Sequence, residues 1–128
     1  MDMMKMDMMK MDMMKMDMSS MTRCMDDCGM CMSMCMETMM KCGKMEGMTP
    51  EMACMLQDCA AMCQMTMGCM MRGSAMCAKM CTMCAEMCMM CCNMCMKMGQ
   101  DEMMMRCAEM CKRCAESCNM MNKMCMAA

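Results

Sequence analysis

The chain carries four stretches in which apolar residues and cysteines recur at helical spacing between charged positions. Serine, threonine or aspartate stands before each stretch, and glycine follows the first three, as expected of helix caps. In the second stretch, Thr49 is followed by proline and glutamate, which is typical of a first helical turn. The predicted helices run from Ser19 or Ser20 to about Lys41, from Thr49 to about Arg72, from Ser74 to Met98, and from Gln100 or Asp101 to about Lys123.

Four such helices with short connections predict an all-α fold, an antiparallel up-down-up-down four-helix bundle. The connections at 43–48 and 99–101 are expected at one end of the bundle. The connection at 73–74 is expected at the other end.

Residues 1–18 differ from the rest of the chain. They repeat Met-Asp-Met-Met-Lys three times, end in Met-Asp-Met and contain no cysteine. Three interpretations are open: a low-complexity tail or added tag, a thioether-rich segment that gathers a soft metal ion such as Cu(I), or a helical extension of the first helix. Residues 19–128 are predicted to form the bundle.

No segment has the basic start, apolar run and cleavage site of a secretory signal. There is no uncharged apolar run of about 18 residues, so no membrane span is expected. Abundant thiols favour the reducing cytoplasm, with an exported, periplasmic mature form as the alternative.

The composition excludes several function classes. Of 128 residues, 45 are Met and 21 are Cys, and there is no His, Phe, Tyr or Trp. Without His there is no His-based acid–base catalysis and no mixed Cys/His zinc site, and no group acts as a general base near neutral pH, so no enzyme is expected. A net charge of −2 and the lack of aromatic side chains argue against nucleic acid as a partner.

The most specific feature is the spacing of the cysteines. Offsets of 0, 4, 7, 11 and 18 residues recur in the first, third and fourth helices. At 100° per residue these positions share a sector about 60° wide, so each helix presents a row of five thiols. The rows are Cys24, Cys28, Cys31, Cys35 and Cys42; Cys77, Cys81, Cys84, Cys88 and Cys95; and Cys107, Cys111, Cys114, Cys118 and Cys125.

The rows are predicted to face the bundle interior, because the other faces carry the charge. The charged positions expected on those outer faces are Asp26, Asp27, Glu37, Lys79, Glu86, Lys112, Arg113 and Glu116.

The second helix departs from this spacing. Cys59 and Cys63 keep the four-residue step. Thr66 and Met70 occupy the next two positions of the row, and Met52 lies on the row one heptad before Cys59.

Three further cysteines fall outside the recurring offsets. Cys54 is off the row of the second helix by about 140° and Cys69 by about 80°. The spacing does not determine whether Cys54, Cys69 or Cys92 binds metal.

Other roles for the thiols are less consistent with the rows. Small buried hydrophobes would not require cysteine at each inward turn. Cysteines at i and i+4 have Cβ atoms about 5–6 Å apart, too far for a disulfide, and 21 is an odd number. Zinc sites usually draw four thiolates from loops rather than from continuous helices. The CxxxCxxC triplets resemble those of radical-SAM enzymes, but this chain is too short to form the large barrel that surrounds the triplet in those enzymes.

Soft thiolate and thioether ligands select Cu(I), which accepts low coordination numbers. Two thiolates at i and i+4, such as those of Cys59 and Cys63, can approach one ion from opposite sides. Each buried unpaired charge costs several kcal/mol, so one Cu⁺ per thiolate is expected, or about 15–20 ions per chain. Loading should release about one proton per thiol that binds.

At this point the sequence resembles the bacterial Cys-rich four-helix-bundle copper storage proteins. Residues 81–88, CTMCAEMC, are similar to the third helix of that family, and residues 107–118, CAEMCKRCAESC, to its fourth. The resemblance covers roughly residues 20–125. It implies that many Cu(I) ions bind inside the bundle and that the protein is a homo-oligomer, a tetramer.

The chain departs from that family near the turn between the third and fourth helices. Family members often place His there, whereas residues 98–105 read MGQDEMMM. Met98, Met103 and Met104 are therefore candidate thioether ligands for Cu(I) uptake or release, with simple packing at the end of the bundle as the alternative.

The sequence thus predicts a non-catalytic protein that stores multiple Cu(I) ions, with copper ions and, as a further candidate, copper chaperones as its partners. The alternative is a thiol reservoir, or a designed Cys- and Met-rich bundle without a natural metal cargo. The candidate metal ligands are Cys24, Cys28, Cys31, Cys35, Cys42, Cys59, Cys63, Cys77, Cys81, Cys84, Cys88, Cys91, Cys95, Cys107, Cys111, Cys114, Cys118, Cys125, Met98, Met103 and Met104.

Overall fold

A computed structural model describes the backbone of residues 2–99 and 101–127, and the side chains of residues 19–99 and 101–124. Four α-helices make up this part of the chain: α1 (Asp2–Cys42), α2 (Pro50–Arg72), α3 (Cys77–Lys97) and α4 (Glu102–Ala127). Helix α1 packs against α2 and α4, and α3 packs against the same two helices. This square arrangement of sequential helices confirms the predicted four-helix bundle.

The predicted start of the first helix is wrong. Helix α1 begins at Asp2, so Ser19 and Ser20 lie inside it and cap nothing. Methionine and lysine are good helix formers, so the residues before Ser19 are helical as well, and the two serines lie within one continuous helix. The backbone of residues 2–18 is helical, and the roles suggested for residues 1–18 stay predictions. Their proposed thioether chemistry concerns side chains outside the described ones.

The predicted bounds of α2 are confirmed. Thr49 Oγ1 accepts a hydrogen bond from the Met52 N–H at 3.2 Å, and Pro50 is the first helical residue. Gly73 ends the helix with φ +64°, a left-handed conformation that glycine adopts without strain.

The predicted cap of α3 is wrong, and the predicted cap of α4 is confirmed. Ser74 does not cap α3: its Oγ accepts from the Met76 N–H at 3.1 Å within the turn, and the helix begins at Cys77. A turn separates Gly73 from the helix, since the Cys77 N–H donates to the Ser74 carbonyl oxygen at 3.2 Å. Asp101 does cap α4, because its Oδ1 accepts from the Met104 N–H at 2.9 Å.

The connections lie at the two ends of the bundle as predicted. A Cβ atom at Gly47 in the first connection would lie 3.4 Å from the Cε of Met98, which stands just before the third connection. Cys42, the last residue of α1, places its Sγ 3.8 Å from Asp101 Oδ1. The turn at 73–76 is at the opposite end of the bundle.

The core consists mainly of cysteine side chains, with Leu56, Met70, Met104, Met121 and several alanines between them. Half-buried methionines surround this core and cover it. Of the charged residues predicted on the outer faces, Asp27 is a correction, because it is only 2% exposed. It lies at the α1–α4 interface, where Arg113 and Ser117 contact its carboxylate. None of the helices in the described ranges is long and apolar enough to cross a membrane.

Candidate metal centre

The three predicted cysteine rows face the interior of the bundle. Their described members are all buried, with Cys42 at 5% exposure and Cys77 at 7% as the most accessible. The side chain of Cys125, the last predicted member of the third row, lies outside the described residues. Helices α1, α3 and α4 therefore line one continuous channel with thiols.

Helix α2 contributes fewer thiols to this channel. Cys59 and Cys63 are fully buried, and Thr66 and Met70 at the next row positions are buried as well. Leu56, which precedes Cys59 by three residues, is also fully buried. The inward face of α2 thus lies where the sequence predicts, and it carries both of the ligands predicted for this helix, Cys59 and Cys63.

The cysteines outside the rows lie in different environments. Cys54 is exposed, whereas Cys69 and Cys92 are 7% and 3% exposed. The Cys92 Sγ lies 4.0 Å from the Met96 Sδ on its own helix. The described cysteines are free thiols, so no disulfide joins them.

Sulfur atoms from neighbouring helices come into contact across the channel. The Sγ atoms of Cys31 and Cys111 are 3.8 Å apart, and those of Cys63 and Cys114 are 3.9 Å apart. Of the predicted pairs within one helix, Cys84 and Cys88 have their Sγ atoms 3.9 Å apart. Thiols from separate helices thus share the same space, which sequence spacing alone could not establish.

Among the described side chains, the closest sulfurs form five quartets, in each of which the four Sγ atoms lie within 4.8 Å of one another. Ordered along the bundle, each quartet shares two cysteines with the next. We call this continuous array the thiol ladder. Its quartets are Cys28, Cys84, Cys114 and Cys118; Cys63, Cys84, Cys88 and Cys114; Cys31, Cys59, Cys63 and Cys88; Cys31, Cys35, Cys59 and Cys111; and Cys35, Cys91, Cys107 and Cys111.

Other predicted ligands extend the thiol ladder at both ends. The Cys24 Sγ lies 3.8 Å from that of Cys118, and Cys81 interacts with both of these residues. At the opposite end, interaction with Cys107 raises the pKa of the buried Cys95 thiol. Cys42 and Cys77 lie beyond these residues, near the two ends of the channel.

Hydrogen bonds between thiols control the protonation of the ladder. Those with Cys111 and Cys31 lower the pKa of Cys59, because S–H donors stabilise the thiolate that accepts them. The hydrogen bond with Cys107 raises the pKa of Cys111, which keeps its proton. Deprotonation is therefore coupled along the ladder, and a thiolate formed at one position is stabilised by the thiols beside it.

An open cavity of about 460 Å³ lies at the end of the bundle that holds the first and third connections. Its lining is Met45, Glu46, Lys97, Met98, Gly99 and Asp101, and we call it the mouth. Of the predicted thioether ligands, Met98 lines the mouth, Met104 is fully buried and Met103 is half-buried. Burial raises the pKa of the Cys42 thiol below the mouth, and the Asp101 carboxylate adds to this effect.

Sequence spacing missed two inward positions. Thr38 and Met121 are buried and lie 14 residues after the first cysteine of their rows, where α3 has Cys91. The period of the rows predicts this position, but only in α3 is it marked by a cysteine. The Thr38 hydroxyl has no hydrogen-bond partner among the described residues.

The arrangement argues against separate zinc sites. A structural zinc ion takes four thiolates of its own, whereas neighbouring quartets of the thiol ladder share half of their sulfurs. Bridging thiolates with closely spaced ions suit a soft monovalent metal that accepts two or three ligands.

Comparison with known proteins agrees with this geometry. The sequence model of the family described as "Copper storage protein" matches residues 17–123. The crystal structure of the Nmul_A1745 protein from Nitrosospira multiformis superposes with a TM-score of 0.75 at 29% sequence identity, over 83% of this chain and 97% of that one. The Cu(I)-bound copper storage protein BsCsp3 superposes with a TM-score of 0.73 at 25% identity, over 80% of this chain and 98% of that one. A search of curated proteins finds no match.

Proposed function

This chain belongs to the copper storage protein family, and from that premise we propose that the thiol ladder is where it holds its cargo. The protein stores copper by binding multiple Cu(I) ions inside the four-helix bundle. The observation that carries the proposed location is the sharing of two cysteines between each quartet and the next. Because every shared sulfur can bridge two ions, the ladder accommodates a chain of Cu(I) ions along the channel.

Charge balance sets the capacity. A row of thiolates in a buried channel needs one cation per sulfur, since uncompensated buried charge is costly. Twelve cysteines form the ladder, and further row members continue it at both ends. A capacity of about 15–20 Cu(I) ions per chain follows if the row cysteines all take part.

Copper passes through the mouth. Met45 and Met98 offer thioethers there, and Cys42 lies directly below them. A thioether binds Cu(I) without losing a proton, so it can receive an ion before a thiol has been deprotonated. Met103 and Met104 are assigned to the same path as later ligands.

The remaining assignments follow from the storage role. Thiol side chains that can bind copper line the described channel, and we propose that the protein stores copper and catalyses no reaction. Free thiols are maintained in the reducing cytoplasm, which is the proposed location. We further propose that residues 19–128 are the storage unit with residues 1–18 as an accessory segment, and that copper chaperones exchange ions with it. The resemblance to the family supports the proposal that the protein is a tetramer.

The proposal is tested by anaerobic titration of the reduced protein with Cu(I) against a competing chelator, with the bound ions counted by native mass spectrometry. About 15–20 ions should bind with little change in helicity measured by circular dichroism. Binding of only one or two ions, or a preference for zinc, would refute storage on the ladder.

Two matched variants locate the ions. Cys31 belongs to two quartets, so Cys31→Ser should lower the capacity by about one ion, because the thiolate that is removed would have balanced one Cu⁺. Cys54 is exposed and belongs to none of the quartets, so Cys54→Ser should keep the full capacity. Equal capacities of the two variants would place the copper elsewhere.

A further inference from the structure

One buried cysteine of α3 lies beside the thiol ladder and belongs to none of the five quartets among the described side chains. Cys92 follows the ladder residue Cys91, so its side chain leaves the helix about 100° further round. It is only 3% exposed, and it interacts electrostatically with Cys107 and Lys112 of α4. Cys92 therefore lies on the side of α3 that packs against α4.

A thioether meets this thiol at the surface of the bundle. The Cys92 Sγ donates to the Met96 Sδ at a distance of 4.0 Å, and Met96 is the residue one helical turn further along α3. The Met96 side chain is 56% exposed, so the contact lies at the boundary between the core and solvent. The two sulfurs thus form a pair that leads from the buried side of α3 to its outer face.

The chemistry of this pair suits Cu(I). Thiolate and thioether are both soft ligands, and Cu(I) accepts as few as two of them. With a metal–thiolate bond of about 2.3 Å, as for zinc, two sulfurs 4.0 Å apart can bind the same ion after small side-chain rotations. Methionine has three rotatable bonds, so the exposed Met96 side chain can make this adjustment.

The charge of the pair also suits a single ion. One Cu⁺ bound by one thiolate and one neutral thioether has no net charge, so it needs no further counter-ion next to the core. Two thiolates around one unshared ion would leave a negative charge there. In the thiol ladder that charge can be balanced by sharing sulfurs between ions, whereas the Cys92–Met96 pair is neutral without sharing.

We propose that Cys92 and Met96 form a two-coordinate thiolate–thioether Cu(I) site beside the thiol ladder. On binding, the Cys92 thiol releases its proton to solvent, its thiolate forms one S–Cu bond, a lone pair of the Met96 Sδ forms the second, and the copper remains Cu(I). The choice of Cu(I) rests on the proposed function. Because one ligand is a neutral thioether exposed to solvent, this ion is the first that a chelator removes.

The test is an anaerobic Cu(I) titration of the full-length reduced protein against the chelator bathocuproine disulfonate, with ions counted by native mass spectrometry. At the highest chelator concentration that leaves the wild type full, Cys92→Ala and Met96→Leu should each hold about one ion fewer. Leucine nearly conserves the volume of methionine but has no sulfur. Circular dichroism confirms that each variant is folded, and Cys92→Ser is the second variant if alanine disturbs the packing of α3.

Two matched controls isolate the pair. Met90 is an exposed methionine of the same helix, about 200° from Cys92 around its axis, so Met90→Leu should hold as many ions as the wild type. Cys54→Ala removes an exposed thiol of α2 and should also keep every ion. If Cys92→Ala loses an ion while Met96→Leu behaves like Met90→Leu, the thioether is not a ligand and the proposed pair is wrong.

The outcomes separate this site from storage on the ladder. If folded Cys92→Ala and Met96→Leu hold as many ions as the wild type, the Cys92–Met96 site is wrong while storage on the ladder stands. If the wild type binds only one or two ions, storage on the ladder is wrong, and an ion lost in both variants would still support this site.

Discussion

Asp27 of α1 and Arg113 of α4 form an ion pair directly beside the thiol ladder, with 3.3 Å between Asp27 Oδ1 and Arg113 Nε. The carboxylate is 2% exposed and the arginine side chain 64% exposed, so the pair connects the core to the surface. The Ser117 hydroxyl donates to Asp27 Oδ2. Asp27 and Ser117 each precede a row cysteine by one residue, and these flanking positions meet where α1 packs against α4.

Replacement of the Asp27 carboxylate should destabilise the copper-free form of the protein. Asp27→Asn removes the charge that Arg113 contacts, and we expect the free energy of unfolding to fall by about 1.5–3 kcal/mol, the range for a hydrogen bond to a charged group. Urea denaturation of the reduced protein, followed by circular dichroism, measures this change. Glu37→Gln is the matched control: it breaks an exposed pair with Lys41 of 2.8 Å, and its effect on stability should be much smaller because solvent screens exposed charges. Equal losses in the two variants would contradict a special role for the buried carboxylate.

The cysteine rows were predictable from the sequence because their period is a property of each helix alone. Cys24 and Cys28 face inward for the same reason that Cys77 and Cys81 do. The quartets were not predictable, because they depend on the axial register and rotation of neighbouring helices. Nothing in the sequence shows, for example, that Cys31 lies level with Cys111.

The errors of the sequence analysis have local causes. Asp27 was assigned to the surface by its charge, although its position next to the row brings it under Arg113. The predicted cap at Ser19 is wrong because a serine caps a helix only where the preceding residue is not helical. Both outcomes depended on neighbours that a one-dimensional pattern does not show.

Stability without copper should fall with rising pH in a way that depends on Cys81. The hydrogen bond with Cys118 lowers the pKa of Cys81, but the contact with Cys24 and burial outweigh it and raise the pKa from 9.0 to about 12. Between these two values the unfolded chain has lost a proton that the folded protein still binds. The free energy of unfolding should therefore decrease as the pH rises from about 9 to about 12.

A substitution isolates this contribution. Cys81→Ala should make the decrease shallower by about 1.4 kcal/mol per pH unit, which corresponds to one proton. Anaerobic urea denaturation at several pH values measures the slope, and Cys54→Ala, which removes an exposed thiol, should leave it unchanged. An identical slope for Cys81→Ala and the wild type would show that Cys81 ionises alike in both states.

The thioether of Met98 should affect the rate of copper uptake more than the amount stored. Leucine nearly conserves the volume of methionine but cannot bind copper, so Met98→Leu should slow uptake severalfold and leave the capacity unchanged. Stopped-flow absorbance of a coloured Cu(I)–chelator complex follows the transfer. Met76→Leu, an exposed methionine near the other end of the bundle, is the control and should load like the wild type. Equal uptake rates for the two variants would mean that copper does not pass Met98.

Thr38 offers a gain of function that tests the ladder directly. It follows Cys35 by three residues and precedes Cys42 by four, the same relation that Cys91 has to its neighbours in α3. Thr38 is fully buried, and its hydroxyl lacks a hydrogen-bond partner among the described residues. A thiol at this position would extend the row of α1 between two cysteines that it already holds.

Thr38→Cys should therefore raise the Cu(I) capacity by about one ion, since each added thiolate can balance one Cu⁺. The substitution also removes a buried hydroxyl that is not hydrogen-bonded, so the free energy of unfolding without copper should stay the same or rise by about 1 kcal/mol. Native mass spectrometry counts the ions, and urea denaturation measures the stability. Thr82→Cys adds a thiol to the exposed face of α3 and should not change the number of tightly bound ions. If Thr38→Cys gains no ion relative to Thr82→Cys, the channel next to Cys35 and Cys42 does not hold copper, and the ladder ends below that point.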